Sequence, residues 1–177
     1  MGKSCLNKLS GNITVGCTIP QVGVKDIYLI HAEDATFSYS HDGLLIGVTF
    51  AEGAKSYKVE GYKQNIQVTA SLKTTDASAR VDSSVTFKIP NNNTTRGTKG
   101  ILNVVTLGKF YVLAVFNDGD QMILGDVSPL ECSSAEFDSN ANAKMVTITL
   151  ASPEGSAGNR ARVVAVEVAN TIISKSV

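Results

Sequence analysis

The segments Ile66-Gln67-Val68-Thr69-Ala70-Ser71-Leu72-Lys73 and Arg80-Val81-Asp82-Ser83-Ser84-Val85-Thr86-Phe87-Lys88-Ile89 decide how this chain is read. In the first, Ile66, Val68, Ala70 and Leu72 alternate with Gln67, Thr69, Ser71 and Lys73. In the second, Val81, Ser83, Val85, Phe87 and Ile89 alternate with Asp82, Ser84, Thr86 and Lys88. A period of two marks strands with one buried face and one wet face. A strand from Arg80 to Ile89 would span about 30 Å at roughly 3.3 Å per residue, well beyond the usual length of about 5–6 residues. Such strands need cover for their edges and their second face, and we expect other copies of the chain to supply it.

Outward from this pair, the apolar positions change parity between Gly61 and Ile66, so a turn or bulge is expected at Gly61–Asn65. Before it, Asp26–His31, Ala35–Ser40, Leu44–Phe50 and Lys55–Gly61 read as strands. His41-Asp42-Gly43 reads as a tight turn between the second and third. The polar stretch Thr74–Ala79 is expected to be a loop at a strand tip. After Pro90 and Asn91-Asn92-Asn93, the spacing of Ile101, Leu102, Val104, Val105 and Leu107 predicts one short helix over Lys99–Leu107, with Gly108 at its end. The continuous apolar run in Lys109–Asn117 predicts a strand covered on both faces. Asp118-Gly119 then predicts a hairpin into Gln121–Leu124. Glu131–Phe137, Lys144–Ala151 and a closing strand Arg162–Ala169 complete the reading, separated by loops at Asp138–Ala143 and Ser152–Asn159. The expected architecture is all-β, a barrel or sandwich of roughly ten strands with one short α-helix. Residues 1–25 read as an irregular N-terminal arm and 26–177 as a single β-barrel domain.

The chain has 177 residues, 43% of them hydrophobic and 18% charged, enough for one folded domain with a real core. Sixteen basic residues balance sixteen acidic ones. That removes the basic surplus usual in nucleic-acid binders and weakens one force that keeps copies apart. Met1–Leu6 lacks the apolar core of a secretory signal, and no stretch reaches the ~18 apolar residues of a membrane span, so we expect a cytoplasmic protein with no membrane anchor. Cys5, Cys17 and Cys132 are odd in number and widely spaced, which fits free thiols better than a zinc site or a disulfide framework.

Few residues converge on chemistry. His31 and His41 are the only imidazoles, and either could pair with Asp34 or Asp42, with Cys132 or a serine as nucleophile. No GxSxG, HExxH or DxDxDG pattern supports this, and solvent-facing or strand-end histidines are the plainer reading. No enzyme activity, catalytic residue, metal or cofactor is expected. Thr94–Gly100, with Arg96 and Lys99, lacks phosphate-loop spacing and reads as a basic loop at a helix N-terminus. Arg160 and Arg162 form a second basic pair. Tyr57 and Tyr62, with Tyr39, are candidate interface anchors or core residues.

The order of elements across Tyr57–Leu72, Arg80–Ile89, the helix-like Lys99–Leu107 and Lys109–Phe116 resembles the tail tube proteins of long-tailed bacteriophages. It is similar, too, to the inner tubes of contractile injection systems, including haemolysin-coregulated protein. The resemblance runs from about Asp26 onward and rests on element order, without a signature motif. The valine-rich, glycine-flanked helix and the short arm depart from the pattern. It implies a structural virion protein, assembled in the host bacterial cytoplasm and located in the viral tail. Such protomers form stacked homo-oligomeric, usually hexameric, rings that meet other tail or neck proteins. DNA passes through the lumen without sequence-specific binding. A tail-ring or terminator role at the head–tail junction belongs to the same reading. On it, the self-assembly interface would draw on Tyr57, Tyr62, Ile66, Arg96, Lys99, Arg160 and Arg162. A capsid decoration or fibre-type β-domain that binds a surface or glycan is the alternative. An all-β enzyme or small-ligand barrel, in which His31 or His41 meets carboxylates, is a third.

Overall fold

The computed structural model describes residues 23–42, 44–60, 65–75, 78–90, 103–137, 145–154 and 162–177. The chain is all-β apart from two short helices among these residues. The strands are β1 (Val24–His31), β2 (Ala35–Tyr39), β3 (Leu45–Phe50), β4 (Ser56–Glu60), β5 (Ile66–Thr75), β6 (Ser78–Pro90), β7 (Lys109–Phe116), β8 (Gln121–Leu124), β9 (Leu130–Phe137), β10 (Met145–Ala151) and β11 (Arg162–Val163). Helix α1 covers residues 103–107, and α2 is Val166–Ser174. One sheet runs β11-β8-β7-β9-β10-β6-β5, with β1 along the other edge of β7 and β4 along β1. Strands β2 and β3 form a separate two-stranded sheet.

Strand β7 is the axis of the fold because its sequence is apolar on both faces. Phe110, Val112 and Ala114 enter one core with Ile27 and Leu29 of β1, and Leu113 enters a second core with Tyr28 and Ile30. The first core is closed from the far side by Ile66, Val85, Phe87, Ile148 and Leu150, so β9-β10-β6-β5 folds over the β1–β7 layer. The change of direction falls where β7 leaves β8 for β9, which it meets only at Lys109 and Phe110. Gly125 makes the bend at φ +82°, with Leu130 and the Phe110 carbonyl 3.2 Å from where a Cβ would lie, a conformation and a clearance that favour glycine. The second core is covered by α2, through Val168, Ala169 and Ile172, and by Ala35 and Leu45 of the β2–β3 hairpin.

Three expectations change. First, no closed barrel forms among the described residues: the sheet is rolled but has end strands at β4, β5 and β11. Second, the closing strand expected over Arg162–Ala169 is only the two-residue β11, after which the chain turns into α2. Val164, Val166 and Val168 alternate, but Val168, Ala169 and Ile172 share a helical face, and burying that face against β1 and β7 outweighs the modest helix penalty of β-branched residues. Third, Thr74, Thr75, Ser78 and Ala79, expected in a loop, are paired strand residues. Register continues through Thr74↔Ala79 and Thr75↔Ser78, leaving two residues between the strands. His41 and Asp42 lie in a turn as expected, whereas Gly43, all but Asn65 of the turn or bulge expected at Gly61–Asn65, the loop Asp138–Ala143 and most of Ser152–Asn159 lie outside the described residues.

Gly108 ends α1, its N–H donating to the Val104 carbonyl at 2.8 Å. A side chain there would meet the Phe110 ring at 2.6 Å, so close approach, rather than a left-handed backbone, calls for glycine.

Candidate assembly surface

The alternation of β5 and β6 sorts the folded-over sheet into two faces, row by row. One row is Ile66, Phe87, Ile148 and Ala135, and the next is Val68, Val85, Leu150 and Cys132. Between them on the opposite face runs Gln67, Thr86, Thr149 and Ser134. Hydroxyls on this outer face bond across the strands: Thr69 Oγ1 lies 2.6 Å from Ser84 Oγ, and Thr86 Oγ1 lies 3.1 Å from Thr149 Oγ1. Ser133 Oγ donates to the Thr149 carbonyl at 3.2 Å. The result is a face on which hydroxyls pair across the strands at Thr69–Ser84 and Thr86–Thr149, while Thr147 Oγ1 is buried without a hydrogen-bond partner.

The apolar face is covered only near one end. Ile66 is 4% exposed, Val85 0% and Phe87 1%, whereas Leu72, four residues beyond Val68 on the same face, is 66% exposed. Ala70 is exposed as well. The far half of the β5–β6 hairpin therefore extends past the core of its own chain. The outer edge of β5, a ten-residue strand, has no strand partner among the described residues.

A second feature lies where β4, β6 and α1 meet. A half-open cavity of about 590 Å³ has walls that include Leu29, Val59, Phe87, Ile89, Val105 and Phe110. His31 sits in its wall with its ring 4.7 Å from Phe110 and 5.9 Å from Tyr57, edge-on to the latter. Lys58 at the rim lies 3.4 Å from Asp26 and 3.3 Å from Glu60. Burial pulls the Lys58 ammonium down, but Glu60 and Asp26 together outweigh it and hold the group above its usual range.

The C-terminal residues close the top of this region. Ser56 is fully buried; its Oγ donates to the Ile172 carbonyl at 2.7 Å, its N–H to the Lys175 carbonyl, and its carbonyl accepts from Val177. A parallel bridge between Ser56 and Ser176 results. Sequence reading missed this socket, because nothing in the local pattern at Ser56 points to a partner more than a hundred residues away.

The residues expected at an interface fare unevenly. Tyr57 is 46% exposed beside the cavity, on a free surface. Ile66 is buried opposite Phe87, so its side chain serves the core of its own chain, because the register of β5 turns even-numbered positions inward there. Arg162 pairs through its backbone with Ile123. Tyr62, Arg96, Lys99 and Arg160 lie outside the described residues. Tyr39, the further anchor candidate, donates its hydroxyl to the Asp126 carbonyl at 3.2 Å and Oδ2 at 3.3 Å, tying the β2–β3 hairpin to the β8–β9 connection.

The groups considered for catalysis do not assemble. His31 packs among aromatics, His41 is exposed in a turn, and the Cys132 thiol donates to the Ser134 carbonyl at 3.4 Å. Burial pushes that thiol above its usual range, the opposite of an activated nucleophile. Among the described residues there is no cluster of His, Cys, Asp or Glu that could hold a metal ion, and no helix long and apolar enough to cross a membrane. No family model, no curated protein and no solved structure matches the chain.

Proposed function

We propose that this chain is a structural virion protein that self-assembles into rings of a phage tail tube, or of a tail-ring or terminator segment. The observation that carries the reading is the β5–β6 hairpin. It combines a ten-residue edge with no strand partner among the described residues and an apolar face on which Ala70 and Leu72 are exposed. A long open edge is a template for another strand, and proteins that remain monomers blunt it with charge, proline or a covering element. The stretch Ile66–Leu72 carries no charged residue and no proline. One edge meeting a different edge of the next copy is a heterologous contact, which closes into a ring or continues as a filament.

On this reading the hydroxyl face of β5-β6-β10-β9 lines a wet lumen. The uncharged hydroxyls of Thr69, Ser84, Thr86 and Thr149 bond to their neighbours across the strands, and the charges of the same face, Asp82 and Lys88, are of both signs, which suits transit without sequence-specific binding. Negative-stain electron microscopy of the concentrated protein tests the proposal: rings or tubes are expected. A monomer that persists at high concentration would sink it, and a trimer would favour the fibre-type alternative.

A further inference from the structure

The cavity where β4, β6 and α1 meet is a poor place for water. Leu29, Phe87 and Phe110 are buried in its walls, and Val59 and Ile89 are half-buried beside them. A buried water needs about two to four polar partners, and these side chains offer none. The volume of about 590 Å³ lies within the roughly 300–1,000 Å³ typical of small-molecule sites. For scale, an apolar cavity of about 150 Å³ already holds benzene. Tyr57, Val104 and Val177 line the cavity while remaining exposed, so they mark its mouth.

The walls narrow the choice of occupant. Lys58 is the one permanently charged residue of the lining, and its charge is taken: Asp26 lies at 3.4 Å and Glu60 at 3.3 Å. Two carboxylates against one ammonium leave the rim with a surplus of negative charge. An anion would have to displace them, and a cation would sit beside the Lys58 ammonium. Either would lose its water without gaining a free partner of opposite sign. The other polar side chains of the lining, His31 and Tyr57, can hydrogen-bond to an uncharged group. They also belong to a set of four rings with Phe87 and Phe110, in which His31 already packs 4.7 Å from Phe110 and 5.9 Å from Tyr57. Such walls favour a ligand with rings of its own.

We propose that this cavity binds an uncharged aromatic small molecule carrying at most one hydrogen-bonding group. Entry leaves the β4 backbone undisturbed, because Ser56 keeps its bonds to Lys175 and Val177 and the ligand meets side chains alone. The inference stands independently of the tube reading: it concerns a pocket within one protomer.

The test titrates the full chain with two dyes that differ by one charge. N-phenyl-1-naphthylamine is neutral with a single N–H, and 1-anilinonaphthalene-8-sulfonate is the same ring system with a sulfonate. Emission of the neutral dye should rise several-fold and saturate at one dye per chain. The anionic dye should bind about tenfold more weakly or worse, because its sulfonate finds no free cation. The chain has no tryptophan, so Tyr57→Trp places a single reporter at the mouth, and the neutral dye should quench it strongly. Leu72→Trp is the control, roughly 26 Å away along β6 from Ile89 by strand rise, and should be quenched much less. Val59→Phe, which fills part of the cavity, should weaken the neutral dye several-fold with far-ultraviolet circular dichroism unchanged. Absence of saturable binding, equal affinity for the two dyes, or equal quenching at positions 57 and 72 overturns the proposal. Dye expelled as chains associate overturns it as well, and gives the cavity to a second copy.

Discussion

At the scale of single residues, Ser83 is the position where the alternation of β6 and the chemistry of the core disagree. It lies on the face of Val85 and Phe87 and is 1% exposed, yet its Oγ has no hydrogen-bond partner. Its backbone is served by Ser152, whose Oγ both accepts from Ser83 N–H and donates to its carbonyl. An orphaned buried hydroxyl costs about 1–3 kcal/mol. Ser83→Ala should therefore raise the thermal midpoint by a few degrees, and a fall in midpoint on calorimetry would show the hydroxyl is satisfied. Val85, 0% exposed two residues on, gives the opposite case. Val85→Asp would place an unpaired carboxylate in the core, and cooperative unfolding should disappear. Thr86→Ala on the other face loses only the bond to Thr149, about 0.5–1.5 kcal/mol. Cys132 supplies a pH signature. Burial raises its folded pKa, so the protonated thiol is favoured in the fold. The resulting stability is fully present below the unfolded value of about 8.5 and fades as pH rises through the higher folded value. Iodoacetamide at pH 8 should modify Cys132 several-fold more slowly in the folded chain than after unfolding.

At the scale of elements, the β5–β6 hairpin combines two environments in one ladder. Its near half, Ile66 and Val68 opposite Phe87 and Val85, packs into the core. Its far half, with Leu72 66% exposed, does not. Leu72→Asp should thus leave the thermal midpoint within about a degree, since it removes little buried area within the chain. The same change should abolish rings or tubes in micrographs if this face meets another copy. Assembly that survives Leu72→Asp would move the interface elsewhere. The element is readable from period-2 alternation, but its length is not. Thr74 and Thr75 pair with Ala79 and Ser78, although the polar sequence there shows no apolar alternation that would announce a strand.

At the scale of the whole molecule, two cores share one central layer. Strands β1, β7 and β8 bury both faces, one under the folded-over β9-β10-β6-β5 sheet and one under α2 and the β2–β3 hairpin. Among the described residues the rolled sheet stays open between β4 and β5, and the outer edge of β5 has no strand partner there.

The sequence by itself determined the all-β class and the faces of the strands, because period-2 alternation is a local property of the chain. Val146, Ile148 and Leu150 inward with Thr147 and Thr149 outward needed no partner to be read. The continuous run of β7 likewise announced a strand covered twice. Tertiary structure alone decided the rest. Val166–Ser174 is helical because Val168, Ala169 and Ile172 find an apolar layer to cover. Ser56 is a socket because the C-terminus arrives there from more than a hundred residues away. Ile66 and Leu72 share one alternating face, but only Ile66 is covered, since burial depends on which distant strands fold over it.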